Sequence, residues 1–130
     1  MILVEDDNPI LCQYLAYGTK DVARQSLWAI RNAVCDADKQ IVDSLVMDCN
    51  VIEYLLIYLK DWKNIDKNSL MIAMDCIHVL LEFESGENPY AVKCKDDGLL
   101  QHLKDMAADE ELNVTVRGKI KNAIIGKYWS

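Results

Sequence analysis

Apolar residues recur at spacings of three and four along almost the whole chain, and that period constrains the fold more than any other feature. Ile10, Leu11, Tyr14 and Leu15 make one stripe, and Val22, Ala23, Leu27, Ile30, Ala33 and Val34 make a longer one. Two prolines and five glycines in 130 residues leave few tight turns, which disfavours a many-stranded sandwich or barrel. The single Phe argues against an aromatic-rich sheet core. With 52% hydrophobic and 27% charged residues the composition is globular, so an all-α fold is expected. The length suits one domain and disfavours a two-domain enzyme with a cleft between its halves.

The pattern divides into predicted helices. Gly18 is a plausible C-cap for the first stripe, and the second occupies Lys20 to Cys35. Ile41, Leu45 and Val46 mark a short helix, and Val51, Tyr54, Leu55, Tyr58 and Leu59 the next. Asp66 or Asn68 caps a long helix through Leu70, Ala73, Ile77, Leu80 and Leu81, broken at Ser85-Gly86. Asn88-Pro89 pairs an N-cap with proline at the first helical position, where a missing N–H costs little. Gly98 separates that helix from one over Leu99 to Ala107, and a last helix is expected from about Glu111 to Tyr128.

In order, these helices run medium, long; short, medium, long; short, medium, long. The long ones begin roughly 47 residues apart, which places Trp28 opposite Asp75 and falls within the period of armadillo and HEAT arrays. Such triplets cannot close their own cores and must stack. The expectation is a right-handed armadillo-type superhelix of about three repeats in one domain: a partial repeat over 1–35, a full one over 36–85 and a capping one over 86–130. A compact helical bundle with accidental periodicity is the alternative.

The net charge is −7, which disfavours binding to nucleic-acid backbones. The charge is uneven: residues 36–110 hold 16 acids against seven bases, whereas residues 111–130 hold one acid and four bases. The acidic body suits basic partners, although acids also simply keep a helical surface soluble. Cys12, Cys35, Cys49, Cys76 and Cys94 are irregularly spaced with no Cys-x-x-Cys, so they read as reduced, mostly buried thiols of an intracellular protein. The start, Met1-Ile2-Leu3-Val4-Glu5-Asp6-Asp7, turns acidic too soon for a signal peptide, and no apolar stretch is long enough to span a bilayer. Cytoplasm or nucleus is the expected location, with no membrane contact.

Trp28-Ala-Ile-Arg-Asn32 is the most informative stretch. Trp28 and Asn32 lie one turn apart on one helix face. On a groove wall, the indole would receive the stem of a Lys or Arg, and the Asn32 carboxamide would pair with a peptide backbone. Trp28 in the core with Asn32 as an ordinary polar residue is the competing reading. Asp75, one repeat later, is either solvated or placed to meet a bound base. Lys119, Lys121 and Lys127 form either a dipole-complementing face or a second docking surface. Trp62 is expected half-exposed along a helix end, and Trp129 against the last repeat's core.

Catalysis is not expected. His78 and His102 are the only histidines, and neither has a nucleophile or paired acid nearby in sequence. Cys76 and His78 are two apart, on different helix faces, which is wrong for a shared metal. Neither phosphate-binding glycine loops nor zinc or serine-hydrolase motifs occur, so neither cofactor nor metal is expected.

Taken together, several stretches resemble the importin-α (karyopherin-α) family, the armadillo adaptors for nuclear localisation signals. Ser26-Leu-Trp28-Ala-Ile-Arg-Asn32-Ala is similar to the family's Trp-x-x-x-Asn repeat signature. Asp38-Lys-Gln40-Ile41 through Leu45-Val46 resembles the first helix of its next repeat, and Glu87-Asn88-Pro89-Tyr90-Ala91 the stretch before its final one. Gly98-Leu99 with Leu103 resembles the helix that follows, and Lys127-Tyr128-Trp129 falls where the family ends in a Tyr-Phe pair. The resemblance is collinear from about Asn8 to Trp129 and covers the last three or so repeats.

The resemblance implies a non-catalytic nuclear import adaptor, in cytoplasm and nucleus, that binds basic nuclear localisation peptides of cargo proteins. Trp28 and Asn32 match the last groove pair, at the edge of the minor site, and the closing repeat, near 99–129, is implied to meet an exportin that recycles the adaptor. Gln25 stands where relatives tend to carry an acid, and with Asp75 it completes the candidate peptide-binding set. There are departures. No basic segment precedes the repeats, so importin-β would bind only through a segment absent here, and the chain is expected to be part of a longer adaptor. Asp48-Cys49 replaces the usual glycine turn, Asp75 stands for Asn, and Val79 replaces the next asparagine. Exposed apolar surface around Ile10, Leu11 and Tyr14 would invite self-association. The alternatives are an armadillo or HEAT scaffold of another pathway, or a small helical enzyme.

Overall fold

The computed structural model describes residues 8–36, 39–82 and 89–126, and all of its regular structure is helical. The elements are α1 (Asn8–Tyr17), α2 (Lys20–Asp36), α3 (Lys39–Asp43), α4 (Val51–Leu59), α5 (Lys67–Glu82), α6 (Pro89–Asp96), α7 (Leu99–Ala108) and α8 (Val114–Lys119). Two helices loosen at their ends into π-helical turns, α3 over Ser44–Asp48 and α8 over Ile120–Ile125. A 3₁₀ turn, Trp62–Asn64, lies between α4 and α5. The long helices α2, α5 and α8 begin at Lys20, Lys67 and Val114, 47 residues apart at each step. The positions around Ser85-Gly86, Asn88, Tyr128 and Trp129 lie outside the described residues.

Each boundary has a local cause. Gly18 follows α1 with its N–H on the Tyr14 carbonyl at 2.9 Å. A Cβ at Gly18 would stand 2.5 Å from that oxygen and 3.0 Å from Val22 Cγ1, so close approach excludes a side chain. Among the described residues only Gly98 and Asn50 have positive φ, at 92° and 55°, and each precedes a helix, α7 and α4. Asn50 therefore supplies the left-handed residue that Asp48-Cys49 lacks, since Asn tolerates that region better than most residues. Of the two cap candidates for α5, the structure uses Asp66, which accepts from the Ser69 N–H at 3.1 Å and the Ser69 hydroxyl at 2.7 Å.

The last long helix starts later than expected. Asn113 accepts from Thr115 N at 2.9 Å and Val116 N at 3.4 Å, so the helix opens at Val114 instead of Glu111. Arg117 Nη2 reaches back to the carbonyls of Asp109 and Leu112, both at 3.1 Å, and holds residues 109–112 in a turn. Glu111 is left outside the helix and pairs with Lys63 at 3.1 Å.

The helices lie in three rows. α2 packs on α5 and α5 on α8; α1 packs on α4 and α4 on α7. In the remaining row the Tyr90 hydroxyl of α6 donates to the Asp43 carboxylate of α3, 47 residues away. In the middle row His102 Nε2 of α7 donates to the Leu59 carbonyl of α4 at 2.8 Å, a separation of 43 residues. One continuous core, from Cys12 and Leu15 to Ile120 and Ile124, threads all three rows. It includes the fully buried Leu27, Ile30, Leu55, Leu59, Ile77, Leu80, Leu103 and Tyr90. Trp62 packs half-buried against it, with Lys63 Nζ 5.6 Å from the ring centroid.

Candidate functional site

The row of long helices positions the candidate side chains. α2 buries Ala23, Ser26, Leu27, Ile30 and Val34 and leaves the opposite stripe in water. Gln25, Trp28 and Asn32 stand on that stripe at helical spacing, all exposed, and the Trp28 indole is 44% exposed. An indole of that size left in water is unusual for a core residue, so the core reading of Trp28 does not hold. α5 shows solvent only a narrow stripe, on which Met71, Asp75, His78 and Val79 are half-buried.

On α2 the Asp75 carboxylate meets Arg31, one turn beyond Trp28, with Nε 3.9 Å from Oδ2. Arg31 links the two candidates, because its guanidinium carbon also stands 5.7 Å from the centroid of the Trp28 ring. On the other side Lys119 Nζ of α8 donates to Asp75 Oδ1. Arg31, Asp75 and Lys119 are each 44 residues apart and form a cation–anion–cation ladder across α2, α5 and α8. All three side chains are about two-thirds or more buried, at 33%, 34% and 21% exposure.

Sequence reasoning left Arg31 without a role and read Lys119 as part of either a dipole-complementing face or a second docking surface. The structure gives both an internal partner. The signal was present as a base–acid–base pattern at a constant spacing near the repeat length. It was missed because the period of 47 pointed to Trp28 instead.

Among the described residues no group of three or more His, Cys, Asp or Glu is placed to hold a metal ion. His78 Nε2 pairs with Glu82 at 3.0 Å, and His102 is engaged with a backbone carbonyl. Burial, with Cys49 adding to it, pushes the Cys12 thiol up to about 12. Burial, with Asp97 adding to it, does the same at Cys94, and burial also raises Cys76, so these thiols stay protonated at neutral pH. Cys35 is the exposed cysteine among the five. No described helix is long and apolar enough to cross a membrane.

Concavities among the described residues also lie away from the ladder. A cleft of about 770 Å³ opens where the α1–α2 turn faces the α4–α5 connection, lined by Lys20, Arg24, Tyr58, Asp61 and Asp66 among others. Two of its three acids are already engaged: Asp61 accepts from Asn64 Nδ2 at 2.6 Å, and Asp66 caps α5. The Ser69 hydroxyl holds the Asp66 carboxyl below its ordinary value, helped by the Ser69 N–H and Arg24. Burial raises the Tyr58 phenol there. A shallower hollow of about 560 Å³ is lined by Tyr14, Tyr17, Val22 and Tyr54. Tyr17 and Tyr54 meet edge-to-face with centroids 6.2 Å apart. Tyr14 and Tyr17 are 50% and 71% exposed, so apolar surface is open near the first helices, whereas the side chains of Ile10 and Leu11 lie outside the described residues.

No protein-family model matches this chain, and no curated protein or solved structure matches it either.

Proposed function

We propose that the chain is an armadillo-type array, wound as a right-handed superhelix, of an importin-α-like adaptor. Its role is to bind lysine-rich nuclear localisation peptides along the row of long helices, without catalysis. The 47-residue step between α2, α5 and α8, and the three rows of like helices, support the repeat reading.

The observation that carries the binding reading is the exposed Trp28 ring with a guanidinium already beside it, at 5.7 Å. An indole that receives a cation from its own chain has the geometry to receive one from a ligand. Asn32, one turn along the same face and exposed, has a donor and an acceptor for the backbone of an extended peptide. A single Trp/Asn pair binds modestly, because affinity in such grooves sums over several pockets. Residues near 99–129 would meet the recycling exportin, and the location would be cytoplasm and nucleus.

Calorimetric titration with a lysine-rich peptide tests the reading. Wild type is expected to bind with a dissociation constant on the order of micromolar to hundreds of micromolar. Trp28→Ala and Asn32→Ala, still helical by circular dichroism, are expected to lose the signal. Binding that survives both substitutions would remove these residues from the site.

A further inference from the structure

We infer that Arg31 and Lys119 are internal occupants of the groove's cation positions, and that they set its selectivity by competing with a ligand's basic side chains. The inference rests on the peptide-binding reading above and names what limits that binding. Arg31 stands at the Trp28 ring, where a ligand's basic stem would lie. Lys119 holds Asp75 Oδ1, and Arg31 Nε is 3.9 Å from Oδ2, so both oxygens of the groove's acid already face the chain's own cations.

The charge count makes the effect directional. The ladder holds two cations and one anion, so the middle of this face is net positive in a chain of net charge −7. A lysine arriving at Trp28 meets Arg31 as a like charge in a half-buried setting, where water screens less than at an open surface. To reach Asp75 it must displace Lys119, which exchanges one ion pair for another and contributes little net affinity. Peptides are then selected by their fit to Trp28 and Asn32, not by positive charge alone.

The ladder joins three separate helices at a constant 44-residue spacing, so its members are held by the stacking of the rows. Arg31 Nε is shielded from water and makes no hydrogen bond. Through that atom its contact with Asp75, at 3.9 Å, is electrostatic without a hydrogen bond.

The test is the same titration with a lysine-rich peptide on wild type, Trp28→Ala, Arg31→Gln, Lys119→Met and Lys119→Arg, each checked for folding by thermal unfolding. Lys119→Met keeps the stem and removes the charge. Arg31→Gln and Lys119→Met are each expected to tighten binding about twofold to fivefold. Lys119→Arg, which keeps the charge, should match wild type; a merely structural role for Lys119 would not separate Met from Arg in this way. If Trp28→Ala abolishes binding while the two neutralised variants bind no better than wild type, the groove stands and the internal competition is overturned. If wild type is silent but a variant neutralised at both positions binds, the competition is strong enough to close the groove. If that variant is silent too, the inference and the peptide reading both fall.

Discussion

Helices α2 and α5 begin 47 residues apart and pack in one row, with 17 and 16 residues, yet they live in different surroundings. α5 lies between α2 and α8 and buries nine residues, from Ser69 and Leu70 to Leu80 and Leu81. α2 packs on α1 and α5 and, among its described side chains, buries five, leaving Val22 and Trp28 in water at 38% and 44% exposure. In stacked repeats a helix's burial is set by how many neighbours flank it, as much as by its own pattern. Here α5 contributes more of the buried packing, and α2 keeps more side-chain surface in water.

The largest way to break this comparison is Leu80→Ala in α5. Leu80 is 1% exposed in the continuous core, and its loss should cost about 2–5 kcal/mol, read from the midpoint of urea unfolding. A loss under about 1 kcal/mol would mean that α5 is packed far more loosely than described.

A smaller effect separates the two helix starts. Asp66 caps α5 with two bonds at 3.1 and 2.7 Å, whereas Thr19 Oγ1 meets Val22 N of α2 at only 3.4 Å. Asp66→Ala should cost about 1 kcal/mol and Thr19→Ala clearly less. The Asp66 carboxyl titrates below its ordinary value because it accepts from the Ser69 hydroxyl. Its contribution is therefore fully present above the ordinary value of 3.8 and is lost as pH falls through the lower folded value. The stability difference between wild type and Asp66→Ala should accordingly shrink only in strong acid.

The smallest effect sharpens the contrast from the other side. Trp28→Ala removes a large side chain from α2, yet should change stability by less than about 1 kcal/mol, because the ring is exposed and its cation contact is partly solvated. Thermal unfolding beside the peptide titration would show binding lost with stability kept. A loss equal to that of Leu80→Ala would place Trp28 among the packing residues.

The helical content, the 47-residue step and the separators at Gly18, Pro89 and Gly98 were legible, since each depends on local spacing or on one residue's backbone preference. The exposure of Trp28 was left open, because spacing alone does not say which face of a helix meets a neighbour. The start of the last helix was misplaced by three residues. Glu111 is a good first-turn residue, but Asn113 and the reach of Arg117 back to Asp109 and Leu112 put the start at Val114.

The candidate site divides in the same way. Trp28 and Asn32 share a face through the helix period, which the chain's order determines by itself. The partners of Asp75 were a matter of register between helices. A shift from 47 to 44 residues is about one helical turn, and it replaces Trp28 by Arg31 as the neighbour of Asp75. That register follows from how the buried faces of α2, α5 and α8 interlock, a sum over many small contacts that no single motif encodes. The period and the local stops come from each residue's own backbone and neighbours in sequence; which charge meets which was decided only when the helices packed.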